Sequence, residues 1–349
     1  MNIKIGSKII SPRSPVFIIA EAGVNHDGRL DLALKLIEAA AEAGADAVKF
    51  QTFKAEQVTT PQNRMAEYQQ HNLGQTKPQI EMIRQLEMPN HWYPKLIKRC
   101  QELGILFMSA PHGHVESANL LKRFKLPAYK IASGDLTNRP LLEHVARFGK
   151  PIIVSTGMAT MLEVKETVGW IKGAGNRQII LLHCTTNYPC PPEEVNLSAM
   201  SAMQKEWPAL LMGYSDHTSG SQAAIMAVTL GARVIEKHLT LDKKMPGPDH
   251  LASSTPEEFK EMTKAIRHTP VILGTASKKP NASENKISQL TRKSIATAIA
   301  IKKGEKFTAA NLTIKRPGYG ILPKHYKSIL GKKAKRDLPG DILLTKKDF

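Results

Sequence analysis

The sequence predicts an α/β protein: a (β/α)8 TIM barrel over residues 1–273, a linker at 274–290, and a small β-rich domain over 291–349. Three observations predict it. Eight short runs rich in β-branched residues each end in polar residues and precede an amphipathic stretch, which matches an eight-unit barrel over about 270 residues. No glycine-rich nucleotide loop follows the first run, which argues against a doubly wound open sheet. After Leu273 the alternation stops and a polar, basic texture begins.

The strand runs are Val16–Ala22, Ala47–Phe53, Ile105–Ala110, Ala128–Gly134, Pro151–Gly157, Ile179–Thr185, Leu210–Asp216 and Val234–Thr240. The helical patterns are Leu30–Ala43, His91–Leu103, Val115–Phe124, Arg139–Phe148, Leu162–Lys172, Leu197–Trp207, Ser221–Leu230 and Glu257–His268. In the first of these Leu30, Ala33, Leu34 and Ile37 recur at i, i+3, i+4 and i+7, with Gly44 placed to cap. Thr160 with Glu163 forms a capping box, and Thr255-Pro256-Glu257-Glu258 supplies a cap, a first-turn proline and a reciprocal glutamate. The stretch Lys54–Pro89 reads as a long active-site loop or lid. Gly274–Asn285, with Lys278-Lys279-Pro280-Asn281, reads as linker. Short alternating runs at Ile295–Ile301, Leu312–Lys315 and Asp341–Thr345, separated by turns, make the small domain, which at that size needs something to dock on.

Composition narrows the function. Hydrophobic residues are 42% of 349, enough for a packed core, and no apolar run approaches the ~20 residues of a membrane helix. Met1–Lys8 carries no signal-peptide pattern, and Cys100, Cys184 and Cys190 are too few for a disulfide framework; a cytoplasmic protein with no membrane partner is expected. The net charge is +18, and residues 278–349 hold 18 basic against 5 acidic residues. With no RNA-binding motif and no helix-turn-helix signature there, the basic segment reads as a solvated face, and no nucleic-acid partner is expected.

In a parallel barrel the chemistry sits where strands end. Those ends carry Glu21, with Asn25-His26 following; Lys49 and Gln51, on one face; Ser109; Lys130, then Ser133 and Asp135; Ser155-Thr156; His183; Tyr214-Ser215-Asp216-His217; and Glu236-Lys237-His238. Two lysines inside a barrel need anionic partners, and with few carboxylates nearby an anionic ligand is the economical one; hydroxyls and ammonium groups suit phosphate and carboxylate oxygens. His217 and His238 end consecutive strands and become lateral neighbours, able to hold a divalent metal or to act as hydrogen-bonding or general-acid groups.

These motifs resemble the sialic acid synthase family, whose members condense phosphoenolpyruvate (PEP) with an N-acetylated amino sugar. They are Ala20-Glu21-Ala22-Gly23-Val24-Asn25-His26-Asp27-Gly28, Val48-Lys49-Phe50-Gln51, Lys130-Ile131-Ala132-Ser133-Gly134-Asp135, Ser155-Thr156-Gly157-Met158, His183-Cys184-Thr185 with Tyr188-Pro189, Gly213-Tyr214-Ser215-Asp216-His217-Thr218, Glu236-Lys237-His238 and Pro248-Asp249-His250. The resemblance spans nearly the whole chain; Lys315-Arg316-Pro317-Gly318 matches the family's antifreeze-like (SAF-type) second domain, which implies a domain-swapped homodimer with Arg316 meeting sugar in the partner's barrel. It further implies that Lys49, Lys130, Ser133, Ser155 and Ser215 hold PEP. Ser109, at the end of strand three, is expected among the substrate-binding residues. Gln51, Asp135, Tyr188 and Asp249 are implied to surround the sugar, and His217 and His238 to bind manganese or magnesium. Glu21 is implied to be a catalytic carboxylate beside the reacting centre. The sugar expected is N-acetylmannosamine, with a 2,4-diacetamido-trideoxy hexose, giving legionaminate or pseudaminate, as the alternative. A Schiff-base aldolase working through Lys49 or Lys130 is the rival chemistry. The chain departs from the family pattern at Ala110 and His112, where Thr and an aromatic ring are usual, and at Thr186 and Asp135, where some members carry Asn and Glu.

Overall fold

A computed structural model describes residues 1–349. The chain forms two units, Met1–Gly274 and Thr275–Phe349.

The first unit opens with a hairpin, β1 (Ile3–Ile5) and β2 (Lys8–Ile10), paired antiparallel with Ile3 opposite Ile10. Eight parallel strands follow: β3 (Phe17–Gly23), β4 (Ala47–Thr52), β5 (Leu106–Pro111), β6 (Tyr129–Ile131), β7 (Ile152–Ser155), β8 (Ile179–Cys184), β9 (Leu211–Asp216) and β10 (Val234–His238). Their order is β5-β4-β3-β10-β9-β8-β7-β6, and the two ends of that order, β5 and β6, pack together, which closes the sheet into a barrel. The eight expected runs are all strands, with bounds that differ from the expected ones by one to three residues at an end.

Side-chain alternation builds two layers inside the barrel. Phe17, Ile19, Ala47, Met108, Ile153, Ile180, Leu211 and Val234 point inward at the strands' N-terminal half, and Ile3, Ile5 and Ile10 of the hairpin join them as a plug. Space is tight there: a Cβ on Gly213 would meet the Val234 carbonyl and the Leu182 side chain. The next inward positions, towards the C-terminal ends, are polar. Outward-facing residues such as Ile18, Val48, Val154, Leu181 and Ile235 pack on a ring of helices, among them Leu30–Glu42, Met161–Gly173 and Pro256–Leu273. Thr160 and Thr255 cap the last two with reciprocal Glu163 and Glu258, as their sequences predict.

Residues 54–89, expected as a loop or lid, contain short helices at Ala55–Val58, Glu67–Leu73 and Gln79–Gln85. Met65, Met82 and Leu86 from this segment form their own cluster with Val24 and Phe53, so it is anchored above the strand ends.

The second unit corrects the linker. The stretch 274–290 is not irregular throughout: Ala282–Thr291 is helical, because Asn281 and Glu284 make a capping box that the polar texture hid. Beyond it, β11 (Ser294–Thr297) and β12 (Leu312–Lys315) pair antiparallel, and Ile295, Ile301, Phe307, Leu312, Ile329, Ala334, Leu338 and Leu344 form a separate small core. The run at Asp341–Thr345 contributes a single bridge, Leu343 to Ala296, rather than a strand.

Candidate active site

The polar upper layer follows from the strand period. In β4, Lys49 and Gln51 alternate with outward Phe50 and Thr52; in β10, Glu236 and His238 alternate with Lys237. Neighbouring strands in register bring these positions level, with Glu21 opposite both Lys49 and His238.

The two ammonium groups share one carboxylate. Glu236 Oε1 lies 3.7 Å from Lys49 Nζ and 3.5 Å from Lys130 Nζ, and it accepts from the Ser215 hydroxyl at 3.3 Å. Lys49 also reaches Glu21 at 2.5 Å, and Gln51 donates to the other Glu21 oxygen at 3.4 Å. Lys130 donates to Ser155 Oγ at 2.6 Å. All four charged groups are buried. Burial alone raises a carboxyl and lowers an ammonium, and it dominates for Glu21, which is raised, and Lys130, which is lowered. At Glu236 burial is outweighed by Lys130 and Lys49, which hold it down; at Lys49 it is outweighed by Glu21 and Glu236, which hold it up. The lysines therefore have carboxylate partners within the barrel, where composition alone pointed to an anionic ligand as the cheaper partner. An incoming anion would share ammonium groups whose desolvation is already met.

Beside this network stand the imidazoles. The His217 and His238 rings lie 5.3 Å apart, and Tyr188 sits 4.1 Å from His217 and 5.5 Å from His238, ring centre to ring centre. His217 Nδ1 donates to the Thr185 carbonyl at 2.7 Å, which leaves Nε2 free. His238 Nδ1 is buried without a hydrogen-bond partner; the nearest carboxylate, Asp249, is 3.9 Å away, and burial pushes that carboxyl up to about 6. No group of three or more His, Cys, Asp or Glu side chains gathers around one point. Two adjacent imidazoles, one with an orphaned nitrogen, fit a divalent cation that takes its remaining ligands from water or substrate.

Ser133 and Gly157 form the floor of the same mouth. The Gly157 N–H donates to Ser133 Oγ at 3.1 Å, and a Cβ on Gly157 would collide with the Ser133 and Thr186 hydroxyls. The Thr186 hydroxyl is buried with no partner. Towards the lid, Gln51, Tyr188, Asp249 and His112 line a cavity of about 150 Å³ together with Tyr68 and Gln69. Asp135 stands behind His112, 3.5 Å from its Nδ1.

Two expectations are corrected. Ser109 does not face the cavity: it lies on the outward face of β5, bonded to Thr52 Oγ1 at 2.7 Å and the Phe50 carbonyl at 3.1 Å, so the inward residue at that strand end is Ala110. His183 is likewise turned outward, its Nε2 bonded to the Val195 carbonyl at 2.7 Å, and β8 offers Cys184 instead, 3.8 Å from His217 Nδ1. In both strands the period of two turns the neighbouring residue, Ala110 or Cys184, inward instead. Asn25 shapes its loop, donating to the Leu239 carbonyl and Ser253 Oγ, both at 2.9 Å. Arg316 is exposed in the second unit. Sequence reasoning missed Tyr68, which stacks on Tyr188 at 5.1 Å, since nothing in its local pattern marks it. It also missed the buried Asp216–Lys237 pair, 2.7 Å long, that ties β9 to β10 just before the two histidines.

A closed parallel barrel whose C-terminal mouth gathers paired ammonium groups, paired carboxylates and adjacent imidazoles has the arrangement of a barrel enzyme's active site. Comparison narrows the class: residues 36–278 match the NeuB family and residues 292–349 the SAF domain, and the chain belongs to the NeuB family. It is 45% identical over 329 residues to the N,N'-diacetyllegionaminic acid synthase of Campylobacter jejuni, covering 94% of this chain and 98% of that one. Among solved structures it is similar to the spore coat polysaccharide biosynthesis protein SpsE of Bacillus subtilis, with TM-score 0.69, 37% identity, and coverage of 100% of this chain and 99% of that one. It is also similar to the N-acetylneuraminic acid (sialic acid) synthetase of Leptospira borgpetersenii, in complex with citrate, with TM-score 0.72, 34% identity, and coverage of 82% and 95%. No helix is long and apolar enough to cross a membrane.

Proposed function

We propose that the chain condenses PEP with the open-chain aldehyde of an N-acetylated amino sugar, giving a sialic-acid-type product and phosphate. The observation that carries this reading is Glu236: one carboxylate bridges Lys49 and Lys130 and stands two residues from His238 on the same strand face, which puts the lysines and the imidazole on one inward side of the barrel.

In this reading Lys49 and Lys130 bind the phosphate and carboxylate of PEP, with Ser133, Ser155, Ser215 and the orphaned Thr186 hydroxyl as further donors. His217 and His238 would hold a divalent cation, manganese or magnesium, which when bound supplies Lewis-acid polarisation of the sugar aldehyde. PEP C3 forms a bond to the aldehyde carbon, whose oxygen takes up a proton. Water adds at C2, the C2–O bond to phosphorus breaks, and phosphate leaves with the electron pair. Glu21, against Lys49 and Gln51, is positioned to take the proton from that water.

The sugar is the finer question. The 45% identity to a diacetyllegionaminic acid synthase, against 34% to an N-acetylneuraminic acid synthetase, favours a 2,4-diacetamido-trideoxy hexose over N-acetylmannosamine. The lid-side cavity is lined by both apolar and polar residues, with no lysine or arginine among them, which disfavours a phosphorylated sugar there.

A homodimer in which Arg316 serves the partner's site is also part of this proposal. It is supported by the match to the second domain and by apolar side chains left exposed in a single chain, among them Val271, Ile272 and Leu290.

The rival Schiff-base chemistry has one observation in its favour, since burial lowers Lys130. Borohydride treatment with PEP and sugar decides between them. The condensation reading expects no substrate adduct by mass spectrometry and loss of PEP binding by calorimetry in Lys130→Met; a trapped adduct at either lysine would overturn it.

A further inference from the structure

β9 and β10 stay in register up to the pair Asp216–Lys237, and no later pair follows. One residue further, His217 and His238 would have been the next pair. Instead β10 continues against β3, with His238 level with Glu21, while His217 turns towards the loop after β8, where its carbonyl accepts from the Cys190 N–H at 2.8 Å. The backbone ladder between β9 and β10 therefore stops just short of the two imidazoles.

Side chains take over at that point. Asp216 and Lys237 alternate with inward Ser215 and Glu236, so they lie on the outward face and do not enter the mouth. Both are 1% exposed. Lys237 Nζ donates to Asp216 Oδ2 at 2.7 Å and to the Thr218 carbonyl at 2.8 Å. Asp216 Oδ1 accepts from the Thr218 N–H at 2.9 Å and from its hydroxyl at 2.8 Å. The residues before and after His217 are thus tied to each other and to the residue before His238. A buried pair of this kind often adds no stability over apolar residues of similar volume, so stability alone does not explain it.

We propose that Asp216 and Lys237 are positioning residues that hold His217 and His238 at the spacing a divalent cation requires. They act through the imidazoles and touch no substrate. Clamping the backbone around two ligands does for their spacing what a hydrogen bond on the far ring nitrogen does for the orientation of one. The inference rests on the metal reading of the proposed condensation and assigns to it two residues outside the mouth.

The test follows Mn²⁺ binding by loss of the free-ion electron paramagnetic resonance signal, and PEP binding without metal by calorimetry. It compares the natural protein, the double variant Asp216→Asn with Lys237→Met, and Thr218→Val. The double variant removes both charges together, so that neither is left buried alone, and keeps an acceptor for Thr218. It should bind Mn²⁺ about tenfold or more weakly, with PEP affinity within about twofold of the natural protein's. Thr218→Val removes one hydroxyl bond to Asp216 and should weaken Mn²⁺ binding about threefold, again with PEP binding intact. Unchanged Mn²⁺ affinity in the double variant overturns the inference. So does an equal loss of Mn²⁺ and PEP binding, which would make the pair a general support of the barrel. Should the double variant fail to fold, Thr218→Val decides on the same two readings. Failure of the metal reading looks different and takes the inference with it: the natural protein itself then leaves the Mn²⁺ signal unchanged.

Discussion

Glu236 is the residue on which the charge balance of the mouth turns. With Glu236→Ala, Lys49 keeps Glu21 but Lys130 loses its carboxylate while remaining buried. Removing one member of such a network costs about 3 kcal/mol, so urea unfolding should show a loss of that order, and a change below about 1 kcal/mol would mean that water already reaches Lys130. Gly157→Ala should displace the Ser133 and Thr186 hydroxyls and weaken PEP binding more than tenfold by calorimetry; unchanged affinity would place the phosphate elsewhere. His26, fully buried against Trp92, has its pKa lowered to about 4 by burial, partly opposed by Asp27. The unfolded chain then binds the extra proton first. Stability should be complete above about pH 6.5 and fall as pH drops towards 4, by up to about 3 kcal/mol. His26→Asn should flatten that pH dependence, and an unchanged slope would assign it to other groups. At this scale the sequence marked residue types well but not their facing. Lys49, Lys130, His217 and His238 converge as their strand positions implied, while Ser109 and His183 face the helices because strand ends shift by one residue.

The hairpin β1–β2 closes the barrel's N-terminal end. Ile5 has no exposed surface, and Ile5→Ala should cost about 2–5 kcal/mol in unfolding free energy; a loss under about 1 kcal/mol would mean that the plug is dispensable. The hairpin was illegible in the sequence because three-residue strands carry too few alternations to register, whereas all eight barrel strands and their helices were legible through period and caps. The lid at 54–89 was legible only as length. Its helices are short, and what holds them is Met65, Met82 and Leu86 packing on Val24 and Phe53, a long-range contact no local pattern encodes. The helix Ala282–Thr291 was masked by the lysines and proline before it, although its Asn281–Glu284 box stands in the sequence.

At the scale of the whole molecule, the match to the NeuB family over the barrel and to the SAF domain beyond it makes the two units parts of one enzyme. Their relation is testable without further structure. If Arg316 serves a partner's barrel, Arg316→Ala and His217→Ala are each inactive, yet mixed dimers of the two contain one intact site and recover activity on co-refolding. Recovery absent from heterodimers isolated by dual tags would confine each site to a single chain. The central claim, that one cavity joins PEP to an amino-sugar aldehyde beside a cation, is tested most directly by following phosphate release from PEP with Mn²⁺ across a panel of N-acetylated amino sugars. The expected result is sugar-dependent release, abolished by EDTA and restored by Mn²⁺, with a product mass equal to sugar plus pyruvate. Phosphate release with no sugar in the panel, or full activity in the metal-stripped protein, would contradict it.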